Sequence, residues 1–539
     1  MSEDVSEKGS ATNGAQSLSQ RTAAGLGWKF TSVGARFVAK FGIGVVLARL
    51  LPPEDFGLMG LAMVAVGFGN IFVKLGLGQA LVQRQALTSR HVRVAFTTSV
   101  LMGGAFCALT YAAAPLIAQF FRDTHIVPIL RVLSVMYVLA GLFVVSKSLL
   151  QRELSFQVLF YVECASAVLF YGGVGITMAL LGFGVWSLVY AVLARRVAEL
   201  ILGYGFVRHP VRPLLSLKEL RELASFGVGQ SLARVTNYFA VKGDYFVVGR
   251  LLGPGPLGFY TRAYKLMRLP TSKFVTGLGS VLFPAASKIQ HDTERFRRAY
   301  LYTFSVMSFV VLPATAALVS LAPELIIGIY GRKWMGSIVP LQILSAFGFF
   351  RATYNGAANF VRAKGWVYRV FLSQVVYGGC VLGGTWVAAA HFGLEGAAGA
   401  VGGSIFVMWS LMIYFGNQAA EASLRQLLST VFPGTILSLP LVGACLASKW
   451  ALGPLGVRPL GVVLVAGLLG LAGMSAALWY LPQWFFGHLP RRMLRSMDGA
   501  VPAWAEAVHR RLTMRFGEGN SIAEEEPAAR VVIEGEQAS

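Results

Sequence analysis

Residues 48–62 read ARLLPPEDFGLMGLA and residues 249–263 read GRLLGPGPLGFYTRA. At a constant offset of 201, Arg49, Leu50, Leu51, Pro53, Gly57 and Ala62 match Arg250, Leu251, Leu252, Pro254, Gly258 and Ala263. Each stretch is a short Pro/Gly turn between two apolar runs, and each run is long enough to cross a hydrocarbon layer about 30 Å thick. Such runs recur between residues 27 and 486, and they predict fourteen spans, among them 56–81, 222–251, 300–329 and 338–361. Six spans separate the two turns, so the two blocks insert in the same sense. The sequence therefore reads as an all-α polytopic membrane protein of two six-helix blocks, related by a pseudo-twofold along the membrane normal, plus two C-terminal helices.

Composition points the same way. Of 539 residues, 55% are hydrophobic and 13% charged, where soluble domains carry about 25% charged residues. Mean hydropathy is +0.62. Lys and Arg exceed Asp and Glu by 47 to 25, giving +22. The cations sit inside or beside apolar spans rather than on one basic domain, which argues against nucleic acid as a partner and for the phospholipid bilayer. Loops after even-numbered spans hold sixteen Lys and Arg against seven after odd-numbered ones. The positive-inside rule then places the even loops and both termini in the cytoplasm.

The expected organisation is a disordered tail over 1–20, a six-helix bundle over 21–207, a cytoplasmic linker helix over 208–221, a second bundle over 222–420, two peripheral helices over 421–487, and a cytoplasmic amphipathic helix with an acidic tail over 488–539. Ser216 and Glu219 have capping-box spacing at the start of span 7.

A charge at mid-bilayer costs at least ~2.5–3.5 kcal/mol, so each intramembrane ion needs a cavity or a partner. Lys29, Arg36 and Lys40 of span 1 are spaced by 7 and 4 residues and fall within about 20° of one face direction. Arg351, Asn355, Asn359 and Arg362 make a second stripe on span 10. Spans 7 and 8 add Arg234, Asn237, Lys242, Asp244, Arg262, Lys265, Arg268 and Lys273; Lys74 lies near the end of span 2. Arg195 and Glu199 are spaced as a neutralising i,i+4 pair. Cations outnumber the intramembrane acids Glu163, Glu199 and Asp244, so the lumen attracts an anion. A diphosphate suits it, because guanidinium binds phosphate oxygens in a bidentate fork.

The first turn ending LARLLPPEDFGLMGLA, the following GLGQALVQR (76–84) and GDYFVVGRLLGPGPLGFYTRAYKL (243–266) resemble the Wzx-type oligosaccharide flippases. These form the polysaccharide-transporter branch of the multidrug/oligosaccharidyl-lipid/polysaccharide exporter superfamily. The resemblance implies a V-shaped pair of six-helix bundles in the bacterial inner membrane. It also implies alternating access for a polyprenyl-diphosphate-linked oligosaccharide, serving exopolysaccharide, capsule or O-antigen synthesis beside a polymerase and co-polymerase. The expected substrate-binding residues are Lys29, Arg36, Lys40, Arg234, Lys242, Arg262, Lys265, Arg268, Arg351, Asn355 and Asn359, with Asp244 and Glu163 as coupling-ion candidates.

No phosphate-binding loop, metal-ligand spacing or catalytic constellation stands in the chain, so no enzyme, cofactor or metal is expected. The alternatives are a multidrug exporter of the same superfamily, which would need lumen acids, and a membrane polymerase or ligase.

Overall fold

The computed structural model describes residues 38–74 and 77–480. The chain there is helical, with no strand among the described residues. A first helix (α1, 38–50) leads into α2 (Pro53–Lys74), a short α3 (Leu77–Gln83), α4 (Ser89–Phe121), α5 (Ile126–Arg152), α6 (Phe156–Leu180) and α7 (Val185–Phe206). After a connection, α8 (Leu217–Leu252) and α9 (Pro254–Lys288) open the second block. It continues with α10 (Thr293–Ser320), α11 (Ala322–Tyr330), α12 (Ile338–Ala346), α13 (Gly348–Ala363) and α14 (Val367–Ala420). Helices α15 (Leu424–Leu452) and α16 (Pro459–Tyr480) follow. Eight of the described helices are long and apolar enough to cross a membrane, or nine if α12 and α13 form one bent span. The expected terminal tails and the 488–513 helix lie outside the described residues.

The differences from the expected spans have local causes. Span 300–329 is two helices, because α10 ends at Ser320 and α11 restarts at Ala322 with a proline in its first turn, where the missing N–H costs nothing. Span 338–361 is bent by 41° between α12 and α13. Span 56–81 divides into α2 and α3. No separate linker helix precedes span 7: α8 starts at Leu217, after Ser216, and runs without a break to Leu252, with the Ser216 hydroxyl bonded to the Glu219 carboxylate. Helix α14 is 54 residues long, about 81 Å if straight. It is instead a hairpin: Gly393 has φ 61°, ψ −143°, and a Cβ on Gly384 would lie 3.8 Å from the Cβ of Ala400. Residues 16 apart on one straight helix would be about 24 Å apart.

The repeated turns meet each other. A Cβ on Gly57 would lie 1.7 Å from the carbonyl oxygen of Pro254, and a Cβ on Gly258 would lie 2.0 Å from that of Pro53. Pro53 and Gly57 are the sequence equivalents of Pro254 and Gly258, so the contact is reciprocal, as a twofold axis requires. Around it α1 and α2 are tied to the second block. Arg49 Nε donates to Ile329 O (2.9 Å), Arg49 Nη2 donates to Gly328 O, Lys333 Nζ donates to Arg49 O (2.8 Å) and Trp334 Nε1 donates to Ala48 O (2.8 Å). Leu61, Leu257 and Tyr260 are fully enclosed beside this seam.

Adding bulk at the seam tests this packing. Gly57→Val and Gly258→Val each force backbones apart at about 1–3 kcal/mol, enough to shift an open–closed balance about tenfold. A cysteine introduced at enclosed Leu257 should then react with a water-soluble maleimide about ten times faster than in the parent chain. Unchanged labelling in both variants would show that the seam tolerates the added side chain.

Candidate functional site

Helices α8, α9, α13 and α14 enclose a cavity of about 220 Å³. Its polar lining is Asn237 from α8, Arg268 from α9, Arg351, Tyr354 and Asn355 from α13, and Gln374 and Tyr377 from α14. The guanidinium of Arg351 stands 5.4 Å from the ring centre of Tyr264, and that of Arg268 stands 5.9 Å from the same ring. Arg351 Nη1 is buried and finds no hydrogen-bond acceptor among the described residues. Asn355 turns one N–H back onto Arg351 O (2.8 Å). Beside the cavity Lys242 Nζ lies 3.9 Å from the Tyr245 ring centre.

Asp244 is buried next to these cations. Its Oδ2 accepts from the Tyr260 hydroxyl at 2.8 Å and its Oδ1 from the Tyr245 backbone N–H at 2.9 Å. The carboxylate is thus held by neutral donors, with Lys242 and Arg351 as the charges around it. Glu163, the other acid singled out from the sequence, stands 3.6 Å from Lys147 Nζ. Glu199 is clasped by Arg195 (2.8 Å), as its spacing predicts, and also by Arg196 (2.7 Å).

The structure separates the remaining expected residues. Arg262 is buried at the seam between the repeated turns with its guanidinium 3.8 Å from the Phe56 ring centre and 5.5 Å from that of Trp334. Lys265 approaches α1, where a Cβ on Gly44 would lie 3.3 Å from its Nζ. Lys40 is exposed one turn earlier on α1. Asn359 faces α9 at Gly279 and accepts from Arg362 Nη1 at 3.4 Å. Lys29 and Arg36 lie outside the described residues, as do the side chains of Lys74, Arg234 and Lys273. Sequence reasoning missed Tyr354, Gln374 and Tyr377; a lone amide inside the apolar run FLSQVVY is the signal that finds Gln374. Nothing in the sequence marks Tyr260 or Tyr264 as partners of buried charges.

The described residues thus form a helical membrane-protein fold with a polar cavity walled by charged helices. The lipid II flippase MurJ, in an inward closed conformation, superposes with a TM-score of 0.66 at 13% identity, covering 83% of this chain and 98% of MurJ. Residues 46–339, more than half of the chain, match the family described as "Polysaccharide biosynthesis protein", and the protein belongs to that family. It is 26% identical to the lipopolysaccharide biosynthesis protein WzxC of Escherichia coli (strain K12) over 444 residues, 79% of this chain and 87% of WzxC. It is also 26% identical to the teichuronic acid biosynthesis protein TuaB of Bacillus subtilis (strain 168) over 300 residues. That match covers 55% of this chain and 62% of TuaB, less than two thirds of the relative's length.

The Asp244 clasp yields a stability test. Tyr260→Phe removes one donor from a buried carboxylate and should cost about 1–3 kcal/mol of stability. In a double-mutant cycle with Asp244→Asn, measured by thermal unfolding in detergent, the two substitutions should be strongly non-additive. Additive losses would show that the hydroxyl and carboxylate act independently.

Proposed function

We propose that this protein is a flippase that moves a polyprenyl-diphosphate-linked oligosaccharide from the cytoplasmic to the outer leaflet of the bacterial inner membrane, for polysaccharide synthesis, and that it is not an enzyme. The observation that carries the reading is Arg351 Nη1, a buried guanidinium nitrogen with no acceptor among the described residues, on the wall of a cavity that also holds Arg268. A buried cation with an open donor is costly unless an anion completes it. A diphosphate does so with paired oxygens that match the guanidinium fork. Relatives named for lipopolysaccharide and teichuronic acid biosynthesis, and a lipid II flippase with the same fold, support this choice of cargo. An exporter of cationic drugs would be served poorly by a cavity whose charged lining among the described residues is two arginines.

In this reading the chain has fourteen spans in two six-helix bundles plus α15 and α16, with both termini in the cytoplasm. Helices α8 and α9 are 36 and 35 residues long and count as spans despite their charges, of which Arg268 lines the cavity and Arg262 and Lys242 rest on aromatic rings. The α14 hairpin counts as two. The reciprocal seam at Gly57 and Gly258 closes the outer end, and the substrate enters from the cytoplasm. Rocking of the halves about that seam exchanges the access, with the polyprenyl chain staying in lipid. Arg268, Arg351, Asn355 and Lys242 hold the diphosphate. Arg262, capped by Phe56 and Trp334, serves the outer seam.

Transport of a fluorescent polyprenyl-diphosphate glycan by the full chain in proteoliposomes tests the assignment. Arg351→Lys keeps the charge but loses the fork, and should slow transport about tenfold. Arg351→Glu should slow it more than a hundredfold, because a carboxylate then faces the anion in a poorly screened space. Both variants should reach wild-type abundance; transport that falls only in step with abundance would make Arg351 a structural residue.

Topology is checked by labelling single cysteines. His291→Cys, in the basic loop after α9, should react only from the cytoplasmic side, and Met335→Cys, exposed in the turn after α11, only from outside. The opposite pattern would invert the transport direction.

A further inference from the structure

A second cavity, of about 540 Å³, lies between α2, α3, α5 and α8. Besides Asn237, its polar walls are Asn70, Gln79, Lys147, Ser148, Gln151 and Tyr238, none of them among the expected substrate-binding residues. The volume is within the ~300–1,000 Å³ typical of small-molecule sites.

Its chemistry differs from that of the Arg351 cavity. No arginine is among its described lining residues, and its single lysine already has a carboxylate, Glu163, 3.6 Å away. The space is close to neutral and does not call for phosphate. Four side-chain amides line it, Asn70, Gln79, Gln151 and Asn237, and each amide both donates and accepts, as a sugar hydroxyl does. Asn70 spends one N–H on Val66 O (3.0 Å), which leaves its carbonyl oxygen and second N–H for a ligand. Tyr238 is pinned by its hydroxyl to Val64 O (2.6 Å) and stands among Phe68 and Phe239. A fixed aromatic face beside amides suits a pyranose, which presents C–H groups on its faces and hydroxyls at its rim.

The two cavities share one residue, Asn237 of α8, which lines both. The second space therefore adjoins, across Asn237, the cavity that holds Arg268 and Arg351. We infer that the amide-lined cavity of α2, α3, α5 and α8 is a carbohydrate subsite that takes the sugar attached to the diphosphate. This rests on the flippase reading and deepens it. The second half of the chain supplies the cations from α9 and α13 and the Asn237 amide and Tyr238 ring from α8, and the first half supplies the amides of Asn70, Gln79 and Gln151 from α2, α3 and α5.

Binding to the full-length protein in lipid nanodiscs tests the assignment. The probes are bare polyprenyl diphosphate and the same lipid bearing glucose, galactose or N-acetylglucosamine. The parent chain should bind at least one sugar-bearing probe about tenfold more tightly than the bare one, a gain of about 1.4 kcal/mol. The Asn70→Ala/Gln151→Ala variant should lose that preference while its affinity for the bare probe stays as it was. Arg351→Gln should weaken both probes by a similar factor. If the double variant does not fold, Gln151→Met, which keeps the length and removes the amide, gives the same readout.

A sugar preference that survives these substitutions, or a fall in bare-diphosphate binding along with it, overturns the subsite. So does a parent chain that binds bare diphosphate but shows no preference for any sugar; the flippase reading then stands without it. A parent chain that binds no probe defeats both.

Discussion

The contact between the two repeated turns sets the position of nearly everything else. The carbonyl oxygen of Pro254 occupies the place where a side chain on Gly57 would begin, and that of Pro53 does the same at Gly258. Two backbones come this close only where both partners lack a Cβ, so the crossing point of α2 and α9 has little freedom to slide. Arg49, Lys333 and Trp334 then attach α1 to the segment around α11 through four backbone carbonyls. From this seam α2 and α9 run away from each other's ends. The two cavities lie well along them, Asn70 being seventeen residues beyond Pro53, about 26 Å, and Arg268 fourteen beyond Pro254, about 21 Å. A joint tight at one end and polar space toward the other is the geometry that alternating access needs.

The intramembrane cations divide by what answers them. Arg262 rests on Phe56, Arg369 lies 3.8 Å from the Trp366 ring centre, and Lys242 faces Tyr245. Each gains a cation–π attraction of about 0.5–2 kcal/mol, larger where water is excluded. Arg195 and Arg196 share Glu199, and Lys147 has Glu163. Arg351 has aromatic neighbours too, yet one of its N–H groups stays unanswered in a cavity. Among the described residues these cations are therefore mostly satisfied by the fold itself, with Arg250 Nη1 and Arg351 Nη1 the buried guanidinium nitrogens left without an acceptor. The residues where charge is not satisfied are the informative ones.

Much of this was legible in the chain. The repeat at offset 201, the run of apolar spans, the excess of cations over acids and the Arg195–Glu199 pair are all linear patterns, and membrane insertion depends on linear patterns. Arg268, Arg351 and Asn355 were found because a polar side chain inside an apolar run is conspicuous. Gln374, Gln79 and Gln151 carried the same signal more weakly, since an uncharged amide costs the bilayer less than an ion does. The Asp244 clasp was not legible: Tyr260 is sixteen residues away on the next helix, and tyrosine in an apolar span looks like ordinary packing.

The sequence by itself determined that the chain is a helical multi-pass membrane protein, that two of its turns repeat the same Pro and Gly, and that cations outnumber acids within its apolar stretches. Each follows from composition and spacing, which act one helix at a time. The tertiary structure alone decided which cations share a cavity and which are spent on the scaffold. Arg262 and Arg268 are six residues apart on one helix, yet one stands against Phe56 at the seam and the other beside Arg351. The rotation and crossing of α9 against α2 and α13 decide that difference. They are fixed by close packing between residues hundreds of positions apart, which no local pattern encodes.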